Sequence, residues 1–590
     1  MNKIQLPQNA NPCERFAAAE LTDFIKACVS SFEKPYVFHI GRTARWEEIG
    51  LAAVLPKLKT DGFAIKSAEN EVFIFGRRDR GTLYGVYEFI ERFLKVNFVA
   101  RDYTYIPPPH RVVLGNIDLI DNPDFDLRSY RCYQMLDPLF AVRKRMVVTF
   151  GKNIPEYGGG LTRDFYDLGH NALRLVPESQ YLKDHADFYV MKGGKPVDIC
   201  WSNGVSDGGK AESGQNVCAA IIKSVIDICK ANPEIRYFMI AQEDSVDDKC
   251  QCEKCRSRAE KYGAYSANFV IMLNAVAKEV NRWAESVGRE ICLVTFAYNY
   301  TERPPVKKVN GHLESTGLKC DEHVYIKLAL SCADYAHSFV DPKQNGSEYH
   351  ELSYKEVFEG WKMVADHFMI YDYSTNFFEY LWYFPNRKVL EENYRFYKKI
   401  GAVYVESQAE HDHPSGFQSD LKCYIASALL WNTEKNADVL TEEFCRAYYR
   451  EAAESVLEVI RMFDLACAEA DERFGDYGMH LFLYNWGNEL SPKFYSGDTL
   501  KSMCAILRRE IDRAKDGVLK KRLQKVIITP QRMLVKNVSA YLNGKEKRYY
   551  TEQLKKNCFD CGIYELSEGE TSVVLEKTGE TYGGKVSELD

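Results

Sequence analysis

Ile235-Arg-Tyr-Phe-Met-Ile-Ala-Gln-Glu-Asp244 reads as a short apolar strand that ends in an amide and two acids. The same grammar recurs in Leu127–Tyr133, Glu290–Tyr298, His323–Leu330, His367–Tyr373 and Ala402–Glu406. Two further strands are expected among Arg145–Phe150, Asn171–Val176 and Val197–Trp201. Helical stretches such as Ser266–Ser286 and Val389–Ile400 lie between strands. This alternation argues for a parallel sheet, and about eight units over roughly 300 residues suit an α/β fold of the (β/α)8 TIM-barrel type. A doubly wound open sheet competes, but no G-x-G-x-x-G or Walker loop follows any strand. The barrel is expected over residues 120–435.

On its N-terminal side, residues 1–115 read as a compact α/β accessory domain. Phe16, Ala19, Leu21, Phe24, Ile25, Cys28, Val29 and Phe32 recur at helical spacing, and Tyr36–Ile40 is strand-like. Phe63–Ala68 and Glu71–Phe75 read as a hairpin, residues 80–94 as an amphipathic helix, and Pro107–Pro109 as its end. Beyond Trp431 the chain turns helical, giving an expected helical domain at 436–560. One stripe runs from Leu440 through Phe444, Tyr448, Val456, Val459 and Phe463 to Cys467, with Asp438 or Thr441 as its cap. A second runs from Leu500 to Val526, with Pro530 interrupting it. Residues 561–590 are polar, a small strand or loose tail.

Composition narrows the partners. The 590 residues are 46% hydrophobic and 27% charged, with a net charge of −7. No block of like charge appears, so neither nucleic acid nor an anionic membrane is an expected partner. No apolar run is long enough for a membrane span or a signal peptide, so a cytoplasmic location is expected. The 18 cysteines are scattered through the chain and read mainly as reduced, buried small hydrophobes.

In a barrel, reactive groups lie just past the C-terminal ends of the strands. That filter selects Gln242, Glu243 and Asp244; Glu406 and Gln408; Tyr371, Asp372 and Tyr373; and Tyr298 with Asn299. His170 and Asn171 open another candidate strand. Carboxylates, amides and tyrosines at several strand ends are the equipment of glycoside hydrolysis. One acid protonates the leaving oxygen, and a second group acts at the anomeric carbon from the other face. Taken singly, each has a plainer reading: Asp244 or Asp247 as a helix cap, His170 as a structural histidine, the tyrosines as packing.

Cys250-Gln-Cys252-Glu-Lys-Cys255 follows closely. C-x-C-x2-C gathers three thiols in metal-ligand geometry, but structural zinc takes four ligands. The fourth would come through the fold, from Cys320, Cys332 or a histidine. The alternative is a packed, reduced loop. No cofactor is required for the chemistry above.

The chain resembles the bacterial family called domain of unknown function 4838, a glycoside-hydrolase-like barrel group. Its relatives include the endo-β-N-acetylglucosaminidases of glycoside hydrolase family 163. Arg80-Gly-Thr-Leu-Tyr-Gly-Val-Tyr-Glu-Phe-Ile-Glu91 is similar to the N-terminal accessory domain of β-hexosaminidases and α-glucuronidases. Gly169-His170, Leu175-Val-Pro177, His185-Ala-Asp-Phe-Tyr189 and Gln242-Glu-Asp244 leading into the cysteine loop carry the rest. Phe296-Ala-Tyr298, Leu430-Trp-Asn432 and Tyr448-Tyr-Arg-Glu-Ala-Ala453 support it. The resemblance covers residues 1–460.

It implies a barrel hydrolase with its acid in Gln242-Glu-Asp244, a second carboxylate at Glu406, and His170, Asn203, Tyr298 and Tyr371 around them. Many members carry an amide where Glu243 stands, which leaves Asp244 as the shared acid. Much of the family is secreted; an intracellular version would process imported oligosaccharides. The expected mechanism has Glu243 as general acid and Glu406 as nucleophile or base, with Asp244 orienting the sugar. The alternative makes Asp244 the acid, because neighbours on a strand face opposite ways. A carboxyl gap of about 5–5.5 Å would imply retention, and about 6.5–9.5 Å inversion. N-acetylhexosamine, uronic acid and plain hexose are all compatible. Noncatalytic sugar binding, and a scaffold that dimerises through its helical domain as a homo-oligomer, are the other classes. Tyr298, Tyr300, Tyr371, Tyr373, Phe377, Phe378, Tyr380, Trp382 and Tyr383 form the expected sugar-binding wall.

Overall fold

The computed structural model describes residues 3–147, 153–167, 169–244, 248–344, 346–347, 349–411, 413–474, 483, 495–536, 538–564 and 566–568. At its centre are seven strands: β1 (Leu127–Arg131), β2 (Phe165–Tyr166), β3 (Tyr237–Met239), β4 (Cys292–Ala297), β5 (Val324–Ala329), β6 (Phe368–Tyr373) and β7 (Ala402–Gln408). They form one sheet in the order β1-β7-β6-β5-β4-β3-β2. Every ladder in it is parallel. Parallel neighbours need long crossovers, and helices Val217–Ala231, Ala267–Ser286, Tyr354–Lys362 and Arg387–Lys399 stand within them. Covered on both faces, β4 and β5 are buried along their whole length, which explains why they read as unbroken apolar runs.

The sheet curls on itself. Phe165 of β2 and Tyr404 of β7 approach to 6.0 Å between ring centroids, although four strands lie between them along the sheet. Leu127, Phe165, Tyr237, Val294, Tyr325, Met369 and Tyr404, from all seven strands, join in one buried cluster. This is the concave face of a half-barrel, and it puts all the C-terminal strand ends on one rim.

The six clear strands of the sequence are all present. Of the expected eight, seven occur among the described residues, and β2, only two residues long, was not anticipated. Asn171–Val176 is not a strand: it holds the short helix Ala172–Leu175. A brief apolar run cannot tell one helical turn from a buried strand. Val197–Trp201 falls in an antiparallel hairpin, Tyr189–Lys192 with Lys195–Ile199, outside the main sheet. In Arg145–Phe150, residues 148–150 lie outside the described residues; Val147 donates its N–H to the Arg128 carbonyl of β1 at 3.1 Å.

The N-terminal sheet has the order Lys3–Gln5, Val37–Ile40, Glu71–Gly76, Phe63–Ala68, Asp118–Asp121. Its last strand pairs with Phe63–Lys66, so the sheet continues past the proline triplet and residue 115. The first helix, Pro12–Cys28, stops before Val29–Phe32, which pairs as a strand with His110–Val112. Asp61 ties this unit to the half-barrel, with Arg80 at 3.0 Å and Arg128 at 2.9 Å, all fully or almost fully buried. Burial alone would raise the Asp61 pKa, but the two guanidiniums hold it below its ordinary value.

Helices Ala437–Tyr449, Ala453–Phe474, Gly497–Arg513, Gly517–Lys536 and Gly544–Cys561 follow. Asn436, not Asp438 or Thr441, caps the first. The first stripe is broken by a 3-10 turn at Arg450–Ala452. Pro530 lies inside Gly517–Lys536 rather than ending it, in a stretch from Val526 to Val535 that is entirely buried; tertiary packing outweighs the lost hydrogen bond. Residues 569–590, most of the expected tail, lie outside the described residues. No described helix is long and apolar enough to cross a membrane.

Candidate active site

Period-two alternation sends Arg131, Lys327, Tyr371 and Glu406 to the concave side, above the apolar cluster. Lys327 Nζ lies 2.5 Å from Glu406 Oε2, with both side chains fully buried. Arg131 Nη1 is 3.4 Å from the other oxygen, Oε1. Burial pulls the Lys327 pKa down, opposed by the Glu406 charge. Arg131 also donates to the Tyr371 hydroxyl at 2.9 Å, and Tyr371 donates to Gln408 Oε1 at 2.6 Å. Gln408 in turn donates from Nε2 to Glu568 at 3.3 Å. Burial, then the Glu406 charge, raises the Tyr371 pKa.

Arg131, Lys327 and Glu568 were missed from sequence. Lys327 carried a signal, a lone cation inside the apolar run Val324-Tyr-Ile-Lys-Leu-Ala329, which needs a buried partner. Glu568 carried none. It reaches the rim because the Tyr380 N–H donates to the Leu566 carbonyl and the Glu568 N–H to the Phe377 carbonyl, at 2.7 and 2.8 Å.

Past β3, Gln242, Glu243 and Asp244 diverge. Gln242 is buried and donates to the Tyr298 carbonyl and Thr301 hydroxyl, both at 3.0 Å. Glu243 turns to the short helix after β2 and accepts the Leu173 N–H at 2.8 Å. Asp244 is exposed and accepts from the Tyr298 hydroxyl at 3.3 Å. His170 Nε2 stands 3.6 Å from the same carboxylate oxygen. His170 Nδ1 is 2.6 Å from the Gln242 carbonyl, an acceptor only, so Nδ1 carries a proton and Nε2 is the nitrogen turned to Asp244. Burial, then the Asp244 charge, raises the Tyr298 pKa.

Phe296 of β4 joins the two groups. Its ring stacks on His170 at 5.1 Å and meets Tyr371 edge-on at 6.0 Å, while Lys327 Nζ lies 5.3 Å from its centroid. Asp244, His170 and Tyr298 therefore share one rim with Arg131, Tyr371 and Gln408.

Other expected residues take different places. Asn171 is buried; its amide donates to the Met239 carbonyl and accepts the Ala241 N–H, substituting for a ladder beside β3. Asn203 donates to Asp187 and accepts the Val217 N–H, tying a loop to helix Val217–Ala231. Tyr373, Phe377, Tyr380, Trp382 and Tyr383 do not form an open wall, since each is at most 6% exposed. C-terminal helices pack on this stretch: Tyr383 stacks on Phe463 at 4.2 Å, and Arg532 pairs with buried Glu379 at 2.6 Å. Tyr373 and Trp382 are thus core residues; of the expected wall, Tyr298, Tyr300, Tyr371 and Phe378 are half-buried, and the Tyr300 hydroxyl donates to Asp198 at 2.6 Å while Tyr298 and Tyr371 stand at the rim.

Cys250, Cys252 and Cys255 meet a fourth thiol, and it is Cys200, not Cys320 or Cys332. Cys200 follows the hairpin strand Lys195–Ile199 directly, a position that no sequence spacing announces.

The profile of the family described as a domain of unknown function (DUF4838) matches residues 98–461. That of the glycosyl hydrolase family 67 N-terminus matches residues 3–89. A probable alpha-glucuronidase A of Aspergillus clavatus is 38% identical over 53 residues, so the match spans 9% of this chain and 6% of that protein's length. Among solved structures, a family 138 glycoside hydrolase targeting pectin rhamnogalacturonan II aligns over 95% of this chain and 92% of its own, at 10% identity and a TM-score of 0.44. A family 89 glycoside hydrolase from Clostridium perfringens, in complex with 2-acetamido-1,2-dideoxynojirmycin, aligns over 93% and 65%, at 9% identity and 0.46. Both scores are low, and the fold above rests on its own strand register.

Proposed function

The chain belongs to the DUF4838 family, and on that premise we propose that it hydrolyses the glycosidic bonds of an oligosaccharide or glycoside, with Asp244 as the general acid. The observation that carries this reading is the placement of Asp244: an exposed carboxylate five residues past the parallel strand β3, whose Oδ1 accepts from the Tyr298 hydroxyl at 3.3 Å and has His170 Nε2 at 3.6 Å. Oδ2 is left to deliver a proton to the leaving oxygen, and the Tyr298 hydroxyl, donating to Oδ1, stabilises the carboxylate that the transfer leaves. The match of residues 3–89 to a glycosyl hydrolase N-terminus supports the same class. Glu243, occupied by the Leu173 N–H, serves as an anchor for the Asp244 segment.

Glu406 has no exposed side-chain surface and both oxygens face cations. In this reading it anchors the floor rather than attacking the anomeric carbon. It holds Arg131, and through it Tyr371 and Gln408, toward the sugar. Tyr298 and Tyr371 supply the aromatic faces. A panel of aryl glycosides spanning hexose, N-acetylhexosamine and uronic acid, assayed with the wild type and Asp244→Asn, tests the proposal. It expects turnover of at least one sugar class, lost by about 10²–10⁴-fold in the variant. Equal turnover by both proteins would refute the assignment of Asp244.

A further inference from the structure

We propose that Cys200, Cys250, Cys252 and Cys255 bind one structural zinc ion that staples the hairpin Tyr189–Ile199 to the N-terminus of helix Glu253–Tyr262. The sulfur atoms all lie within 4.8 Å of one another. Cys200 Sγ is 3.4 Å from Cys250 and 3.9 Å from both Cys252 and Cys255. A tetrahedral zinc with Zn–S bonds of about 2.3 Å needs sulfur–sulfur edges of about 3.8 Å. A disulfide would need a contact near 2 Å, and all four cysteines are free.

The surroundings are those of thiolates rather than of apolar packing. Cys252 caps helix Glu253–Tyr262, and its sulfur accepts the Cys255 N–H at 3.4 Å. A helix N-terminus favours negative charge there. The Ser202 hydroxyl sits among the sulfurs, 3.1 Å from Cys255, 3.4 Å from Cys200 and 3.5 Å from Cys252. Cys252 is exposed and Cys250 half-buried, so these two are not in the core that buries most of the other cysteines. On binding, each thiol gives up its proton and the sulfur becomes the ligand. Four thiolates leave no open position, so the ion is structural and holds no substrate. All-sulfur tetrahedral ligation selects zinc or iron, and the four-sulfur closed site is the common zinc form.

The metal would join two elements that lie 50 residues apart in sequence. Cys200 lies one residue past Ile199, and Cys250 lies six residues past Asp244. The inference stands whether or not Asp244 is the acid, because its readouts are metal and thiols.

Elemental analysis of the full-length protein, purified without chelator, should find about one zinc per chain. Cys200→Ser should lower this at least five-fold, while Cys218→Ser, a buried cysteine outside the cluster, should leave it unchanged. Should Cys200→Ser fail to fold, titration of the wild type with a mercurial reagent decides: one zinc should be released as the four clustered thiols are blocked. Exchange with cobalt should give the strong sulfur-to-metal charge-transfer absorption of a tetrathiolate site. A wild type that carries no metal, or iron in place of zinc, overturns the assignment. So does a Cys200→Ser protein that keeps its zinc.

Discussion

Lys327 Nζ and Glu406 Oε2 lie 2.5 Å apart with no exposed surface on either side chain, on strands β5 and β7 with β6 between them. A buried pair of this kind is held by geometry rather than by net gain, since the desolvation of both charges offsets most of their attraction. Removing one partner is therefore the costly change. Lys327→Met should lower stability by about 3–5 kcal/mol, as the buried Glu406 charge keeps only the longer contact to Arg131, at 3.4 Å. Lys327→Met with Glu406→Leu should recover most of that loss. Denaturant unfolding of both variants checks this, and equal losses in the single and double variants would contradict it.

In the proposed mechanism the neighbours Glu243 and Asp244 have separate tasks. Glu243→Gln keeps an oxygen for the Leu173 N–H and should keep kcat within about two- to three-fold of the wild type. Glu243→Ala loses that acceptor at the start of a helix and should cost about 0.5–2 kcal/mol. Steady-state kinetics and thermal unfolding of the two variants, set beside Asp244→Asn, separate anchoring from proton transfer.

Asp372 is buried on the outer side of β6, where Tyr397 and Ser407 donate to it at 2.9 and 3.2 Å. Burial pushes its pKa up to about 7 from 3.8. Because the folded value exceeds the unfolded one, the folded state binds the extra proton between these values. The stabilising effect is complete below about pH 4 and is lost as the pH rises through 7, with a slope of at most about 1.4 kcal/mol per pH unit. Asp372→Asn should remove this component. Stability measured across the pH range for both proteins would show the wild-type curve falling more steeply from pH 4 to 7; parallel curves would count against it.

Glu568 is exposed, yet it reaches Gln408 from the far end of the chain. Glu568→Gln should alter KM by several-fold with little change in melting temperature, since no buried charge is stranded. A kcat and KM comparison on the best substrate of the panel checks this. An unchanged KM would remove Glu568 from the sugar-binding rim.

Much of the half-barrel was legible because parallel strands buried on both faces leave a strong local mark. Val324–Ala329 and Cys292–Ala297 are buried at every position. β2 left no such mark, being two residues long. At the site, strand ends pointed to Asp244 and Glu406, but partners supplied by the fold were not readable. Cys200 joins the cysteine loop from 50 residues upstream of Cys250. The rings after β6 misled for a physical reason: a run of aromatics suits a sugar or a packed helix equally well, and here Trp382 and Tyr383 are buried, Tyr383 against Phe463 of a C-terminal helix.

The central claim is that Asp244 donates the proton to the leaving group. The most direct measurement is kcat/KM for the wild type and Asp244→Asn on a series of aryl glycosides whose phenols span a wide range of acidity. The account predicts that Asp244→Asn loses about 10²–10⁴-fold on the least acidic phenols and much less on the most acidic, which leave without protonation. A loss of the same size across the whole series, or no loss at all, would contradict it.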